Sequence, residues 1–266
     1  MPTVNKAIIP VAGRGSRLAS LGLGLDKSMV PVGGAPLLSR VVGEAVEAGL
    51  RELIVVVGPH NCSAIGLWLD ALAQGPGEAP AFTHTLTVQA EPRGLGDALL
   101  LCKPAVEGEP FAVLLPDNVF WGDPSPTESL ARAMDVTHEH LVGLIEIDER
   151  TAPWFSVSGL CRTVSMGDGM YRVEQLEDKG AGRLSVGEPR LKTCGRQIYL
   201  PDMWPILEEM VAAPGEELDD VALLQTLART GRLVGVLLRG TLFDVGNLLG
   251  YHAACRYAWE HDPWWR

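Results

Sequence analysis

Residues 13–31, GRGSRLASLGLGLDKSMVP, set two glycines, an arginine and a lysine directly after an apolar run, Lys6–Val11, that has the character of a buried strand. Gly13 and Gly15 let the backbone turn tightly and bring its N–H groups up to an anion with no Cβ in the way. Arg17 and Lys27 add fixed positive charge. The chemistry suggested is the holding of phosphates by an enzyme that moves part of a nucleoside triphosphate. Two better-known phosphate loops fit less well. A dinucleotide fingerprint needs a third glycine where Leu18 stands, and a P-loop needs glycines where Leu21 and Asp26 precede Lys27 and Ser28. Taken alone, the stretch also suits an ordinary glycine-rich turn after a strand.

Two further loops carry chemistry-bearing residues. QAEPRGLGDA, residues 89–98, holds Gln89 and Gly94, and LPDNVF, residues 115–120, puts Asp117 at a strand end. Gln89 by itself is a strand-end glutamine and Asp117 by itself a turn aspartate; their interest is in the company they keep.

The elements that must position these loops read as α/β. Lys6–Val11, Leu53–Val57, Thr83–Gln89 and Phe111–Leu115 are strand-like, with helical patterns between them. Continuous apolar runs such as Ala7–Ile9 and Ile54–Val57 suit strands covered on both faces, as in a mostly parallel sheet. Pro36–Ala48 has proline at its start, apolar residues at helical spacing and Gly49 beyond its end. In open sheets of this kind ligands bind beyond the carboxyl ends of the strands, so the loops after Val11, Gln89 and Leu115 should share one crevice. From about Leu141 the texture changes to Leu141–Ile147, Phe155–Val164, Met170–Leu176 and Arg196–Leu200, which suggests a mixed or antiparallel subregion. Helical patterns at Glu216–Ala228 and Asn247–Trp259 then bracket a strand candidate, Leu233–Leu238. The expected fold is a Rossmann-like, mostly parallel sheet flanked by helices, in a single domain.

Composition narrows the function. With 266 residues, 47% hydrophobic and 21% charged, the chain can bury a large core. A formal charge of −11 argues against nucleic-acid binding, so a polyanionic ligand would need local cations and a divalent metal. The five cysteines, at 62, 102, 161, 194 and 255, are odd in number and lack CxxC spacing, which fits a reducing cytoplasm and neither a disulfide framework nor a zinc site. The six histidines lack metal-site spacing and read as solvent or packing residues. The apolar run near the N-terminus is too short for a signal or a membrane span.

With the three loops in hand, the chain resembles the sugar-1-phosphate nucleotidyltransferases, above all the bacterial UTP:glucose-1-phosphate uridylyltransferases, almost end to end. The family's GxGTR motif, followed ten residues on by lysine, is similar to Gly13, Gly15, Ser16, Arg17, Lys27, Met29 and Pro31. GLGDA at 94–98 resembles the GLGHA element, PFAVLLPD at 110–117 the PFAV-LPD strand, and FDVGNLLGY at 243–251 the DCGNKLGY segment. PDNVFWGD also resembles a thymidylyltransferase segment, GDNIFYG, so uridine and thymidine both stay open.

The resemblance implies a GT-A-like nucleotidyltransferase fold with a nucleotide-binding half at 1–135, a sugar-phosphate half at 136–240, and a metal loop with a last helix at 241–266. It implies that Ala12, Gly13, Gly15, Ser16, Gln89 and Gly94 meet the nucleotide, and that Asp117 and Asp244 hold Mg²⁺. Arg17, Lys27, Asp117 and Lys179 would be the catalytic set. LEDKG, residues 176–180, resembles the VEKP motif, with Lys179 keeping the cation, Asp178 one methylene shorter than the usual glutamate and Gly180 in place of proline. Ser156 stands where the family's YGV glycine lines the sugar pocket, and Gly195 matches a later pocket glycine. Asp178, Lys179, Gly195 and Ser156 would thus shape the sugar-phosphate site. Implied partners are a nucleoside triphosphate and a sugar 1-phosphate, with no nucleic acid and no membrane, in a homo-oligomer. Glucose, another hexose, an amino or deoxy sugar or a cyclitol phosphate are all compatible. A nucleotide-sugar-binding protein that has lost catalysis is the competing class, and a nicotinamide-dependent oxidoreductase a more distant one.

Overall fold

The computed structural model describes residues 4–13, 26–74, 81–106, 108–155, 159–177, 187–210 and 217–261. Four parallel strands form one half of a nine-stranded sheet: β1 (Lys6–Pro10), β4 (Glu52–Val57), β5 (Thr83–Val88) and β6 (Phe111–Leu114) lie in the order β5-β4-β1-β6. These are the apolar runs whose lack of alternation pointed to burial on both faces. Ala7 and Ile9 of β1 join one core while Ile8 joins the other, as the twofold period of a strand requires. Helices α1 (Leu37–Glu47), α2 (Cys62–Ala73) and α4 (Pro126–Thr137) pack into the first core; α3 (Leu95–Val106), α5 (Met203–Glu209) and α6 (Asp220–Arg229) pack into the second.

The sheet continues as β11 (Arg190–Tyr199), β8 (His140–Ile147), β12 (Leu233–Leu237), β10 (Met170–Leu176) and β9 (Cys161–Gly167). β11 runs antiparallel to both β6 and β8, β12 is parallel to β8, and β10 is antiparallel to β12 and β9. The mixed subregion foreseen after Leu141 is therefore joined to the parallel half by β11 within a single sheet.

Three segments differ from the sequence expectation. Asn118–Trp121 (β7) and Thr241–Asp244 (β13), read as loops, pair into a two-stranded antiparallel ribbon. Phe155 ends a 3-10 turn, Ala152–Trp154, and the strand that was to begin there starts at Cys161. Pro36 ends a short hairpin of β2 (Pro31–Val32) and β3 (Ala35–Pro36) and caps α1, so the helix starts one residue later. The last helix, α7 (Leu248–His261), packs with the ribbon in a third core containing Val119, Phe243, Val245 and Ala254. All five cysteines are free thiols, and no described helix is long and apolar enough to cross a membrane.

Candidate active site

A cleft of about 760 Å³ opens beyond the carboxyl ends of β1, β5 and β6, within the size range of small-molecule sites. Ala12, Gly13, Lys27, Gln89, Gly94, Asp117, Gly195 and Asp244, predicted from scattered stretches, all line it. Gly15, Ser16, Arg17, Ser156, Asp178 and Lys179 lie outside the described residues.

The approach to Lys27 is fixed by a residue that sequence comparison noticed only as a failed P-loop glycine. Asp26 caps the 3-10 turn Lys27–Met29: its Oδ1 accepts from Ser28 N (2.9 Å) and Oγ (2.6 Å). Its Oδ2 accepts from Asn61 Nδ2 (2.8 Å), which also donates to Val11 O (2.9 Å). Asn61 Oδ1 in turn accepts from Gly58 N at 2.9 Å. The loop is thus tied to the ends of β1 and β4, and Lys27 Nζ reaches Asp117 Oδ2 at 2.6 Å.

The ribbon brings in the second carboxylate. Asp244 pairs with Asn118 across β7 and β13, and Val245 N donates to Asp117 O at 2.8 Å. Gly246 N donates to Asp244 Oδ1 (2.9 Å), and Asn118 Nδ2 donates to Asp117 Oδ1 (2.9 Å). The convergence can be measured at Gly246. A β-carbon placed there would lie 3.0 Å from Asp244 Oδ1, 3.1 Å from Asp117 Oδ2 and 3.3 Å from Lys27 Nζ, so the three charged tips close on one point. Two converging carboxylates suit a hard divalent cation that takes its remaining ligands from phosphate and water. No group of three or more metal-type side chains occurs among the described residues, so of these the two carboxylates are what a cation would draw on.

The platform beneath Asp117 is a buried ion pair. Arg196, on β11, donates from Nε and Nη2 to Glu44 of α1 (2.9 and 2.7 Å), and from Nη1 and Nη2 to Leu115 O (2.8 Å), Gly195 O (2.9 Å) and Asn118 O (2.9 Å). It therefore clamps the turn that presents Asp117. Gly195 serves the same end, because a β-carbon there would sit 2.6 Å from Leu115 Cβ and push β11 away from the loop.

Sequence reasoning missed Lys192. This β11 residue is only 6% exposed, lines the cleft, and places Nζ 3.2 Å from where a β-carbon on Gly159 would lie. Burial pushes its pKa below the ordinary lysine value, while Asp244 opposes that by favouring the charge. Among the described residues, Lys27 and Lys192 are the cations lining the cleft, against Asp26, Asp117, Glu217, Asp219, Asp220 and Asp244. Such an acid-rich cavity accepts a triphosphate only with added positive charge.

Residues 6–258 match the nucleotidyl transferase family, and the chain belongs to it. It is 29% identical over 280 residues to UTP–glucose-1-phosphate uridylyltransferase 1 of Streptococcus pyogenes serotype M3, covering 98% of this chain and 91% of that protein. Its fold superposes with a TM-score of 0.80 on a UDP-glucose pyrophosphorylase solved with UDP-glucose, at 25% identity over 97% of this chain and 99% of the other. A thymidylyltransferase-type structure from Bacillus anthracis shares the fold at TM-score 0.77 and 20% identity, over 97% of this chain and 96% of that one.

Proposed function

We propose that this chain transfers a uridylyl group from UTP to a sugar 1-phosphate, with glucose 1-phosphate the favoured acceptor, releasing pyrophosphate. The observation that carries the reading is the closure of Lys27, Asp117 and Asp244 on one point, in the cleft that Gln89 also lines, beyond the ends of the parallel strands. The similarity to uridylyltransferases over nearly the whole chain supports the choice of substrates.

The acceptor phosphate is already anionic, so no general base is needed for its oxygen to attack the α-phosphorus in line with the leaving pyrophosphate. The protein's task is to align two anions and offset their repulsion. Ala12, Gly13, Gly15 and Ser16 hold the nucleotide by backbone and hydroxyl contacts. Lys27 and Arg17 neutralise the triphosphate and the departing pyrophosphate; Lys179 holds the incoming phosphate. Asp178, Gly195 and Ser156 border the sugar. Asp117 and Asp244 would hold Mg²⁺, which when bound supplies Lewis-acid stabilisation of phosphoryl charge. In this reading residues 1–135 serve the nucleotide, 136–240 the sugar phosphate, and 241–266 the metal loop and last helix.

A matrix of UTP, dTTP, CTP, ATP and GTP against glucose, galactose, amino-sugar and cyclitol 1-phosphates, with pyrophosphate detection, tests the reading. UTP with glucose 1-phosphate should give the highest kcat/KM. Fastest turnover with dTTP would move the nucleotide assignment, and no release from any pair would leave a binding protein instead.

A further inference from the structure

Gln89 lies in the cleft with its amide already oriented. Its Nε2 donates to Gly94 O at 3.1 Å and to Asp97 Oδ2 at 2.8 Å, so both amide hydrogens are taken by acceptors of the protein. The residue is only 6% exposed, and its backbone N–H is tied to Val57 O at 2.8 Å. Both partners of Nε2 are acceptors only: one is a backbone carbonyl, the other a carboxylate. Turning the amide over would set Oε1 against two other oxygens, which leaves the observed orientation as the favourable one.

The loop that supplies these acceptors is itself held. Gly94 has φ +97°, and a β-carbon there would lie 2.8 Å from Leu218 C. Gly96 N donates to Leu218 O (2.8 Å) and Leu218 N to Arg93 O (2.9 Å). Asp97 stands in the first turn of α3, where the aligned amide dipoles favour a negative charge.

We infer that Asp97 is a positioning residue for base selection: it locks Gln89 so that an oxygen, not an N–H, meets the nucleobase. This rests on the assignment of the Gln89 side of the cleft to the base. A uracil or thymine presents its imide N3–H to that oxygen. Cytosine presents an unprotonated N3, which would face Oε1 with no proton between them. The selection is thus against a mismatched lone pair, a stronger discriminator than the loss of a contact.

The test measures dissociation constants of UTP and CTP by calorimetry in magnesium buffer for the full chain and for Asp97→Asn. An asparagine can donate as well as accept, so the Gln89 amide gains its second orientation. The UTP-over-CTP preference should fall by about tenfold, mostly through tighter CTP binding, with UTP affinity within about threefold. Asp97→Ser, smaller and also able to donate, should behave alike and guards against a folding defect in the first variant. Tighter CTP binding is a gain that mere loosening of the loop would not produce. An unchanged preference, or equal loss of both nucleotides in both variants, overturns the inference. Because binding is read without turnover, that result is distinct from failure to release pyrophosphate, which would sink the proposed activity instead.

Discussion

Removing the Glu44 carboxylate should unfold this protein more readily than removing any exposed charge. The side chains of Arg196 and Glu44 are 2% and 11% exposed and joined by two hydrogen bonds, and Glu44 Oε1 also accepts from Thr127 N at 3.2 Å and from its hydroxyl. Glu44→Ala leaves a buried guanidinium without its counter-charge, a change that costs about 3–5 kcal/mol. For a chain of this size each kcal/mol moves Tm by roughly 2–4 °C, so thermal melting followed by circular dichroism should fall by about 10 °C. The double replacement Glu44→Leu with Arg196→Met removes both charges and should return to within about 2 kcal/mol of the parent. Activity should not return with it, because the carbonyls of Leu115 and Asn118 on either side of Asp117 lose their donor. We expect kcat to stay at least about tenfold low, the scale of one misplaced catalytic group. A single variant melting within about 2 °C of the parent, well short of the roughly 6 °C that is the smallest change expected here, would refute the charge argument. A fully active double variant would refute the clamp.

Asp117→Asn and Asp244→Asn should each cut turnover by about a hundredfold or more and raise the Mg²⁺ concentration needed for half-maximal rate; undiminished rates would remove that carboxylate from the chemistry. Lys192, one of the two cations lining the cleft among the described residues, sits beside Gly159 and on the same β11 wall as Gly195. If it helps to hold the sugar phosphate, Lys192→Met should raise KM for that substrate by about tenfold while leaving KM for the nucleotide nearly unchanged. Since burial lowers its pKa, the parent should begin to lose that advantage on the alkaline side earlier than an ordinary lysine would allow, and parallel KM profiles for parent and variant would count against the contact. His140 is fully buried and its pKa is lowered to about 4, chiefly by desolvation, with Asp202 opposing. The unfolded chain takes up that proton near the ordinary histidine value of about 6.5, so stability should fall as pH drops from there towards 4, by on the order of 3 kcal/mol. Urea midpoints of His140→Gln should lack that slope; an identical acid response would place the effect elsewhere.

How much was legible in the sequence depended on the length and one-sidedness of each signal. The parallel strands announced themselves because Ala7–Ile9 and Ile54–Val57 are buried on both faces and so lose all polar alternation. The β7–β13 ribbon did not, since each strand has only four residues, too few for a period to show. Asp117 and Asp244 could still be paired through family likeness, but nothing local said that a backbone ladder joins their neighbours. Lys192 and Arg196 were harder: in LKTCGR they look like a polar, solvent-facing alternation, and only burial by β8, α1 and the cleft wall gives them another meaning. Gln89, which the family likeness set against the nucleotide, does line the cleft. Its partner Asp97 carried no signal in the sequence, because the contact that occupies the amide donors is made only by the folded loop.

The ribbon also sets an order of events during synthesis. Asp244 reaches its place only by pairing with a strand made 120 or so residues earlier, so the parallel half can collapse and gather Lys27 and Asp117 while the second carboxylate is still unsynthesised. Until then a lysine and an aspartate in direct contact, at 2.6 Å, hold one another neutral. The second carboxylate therefore joins the first late, and the turn that presents Asp117 is itself clamped only once Arg196 of β11 has been made.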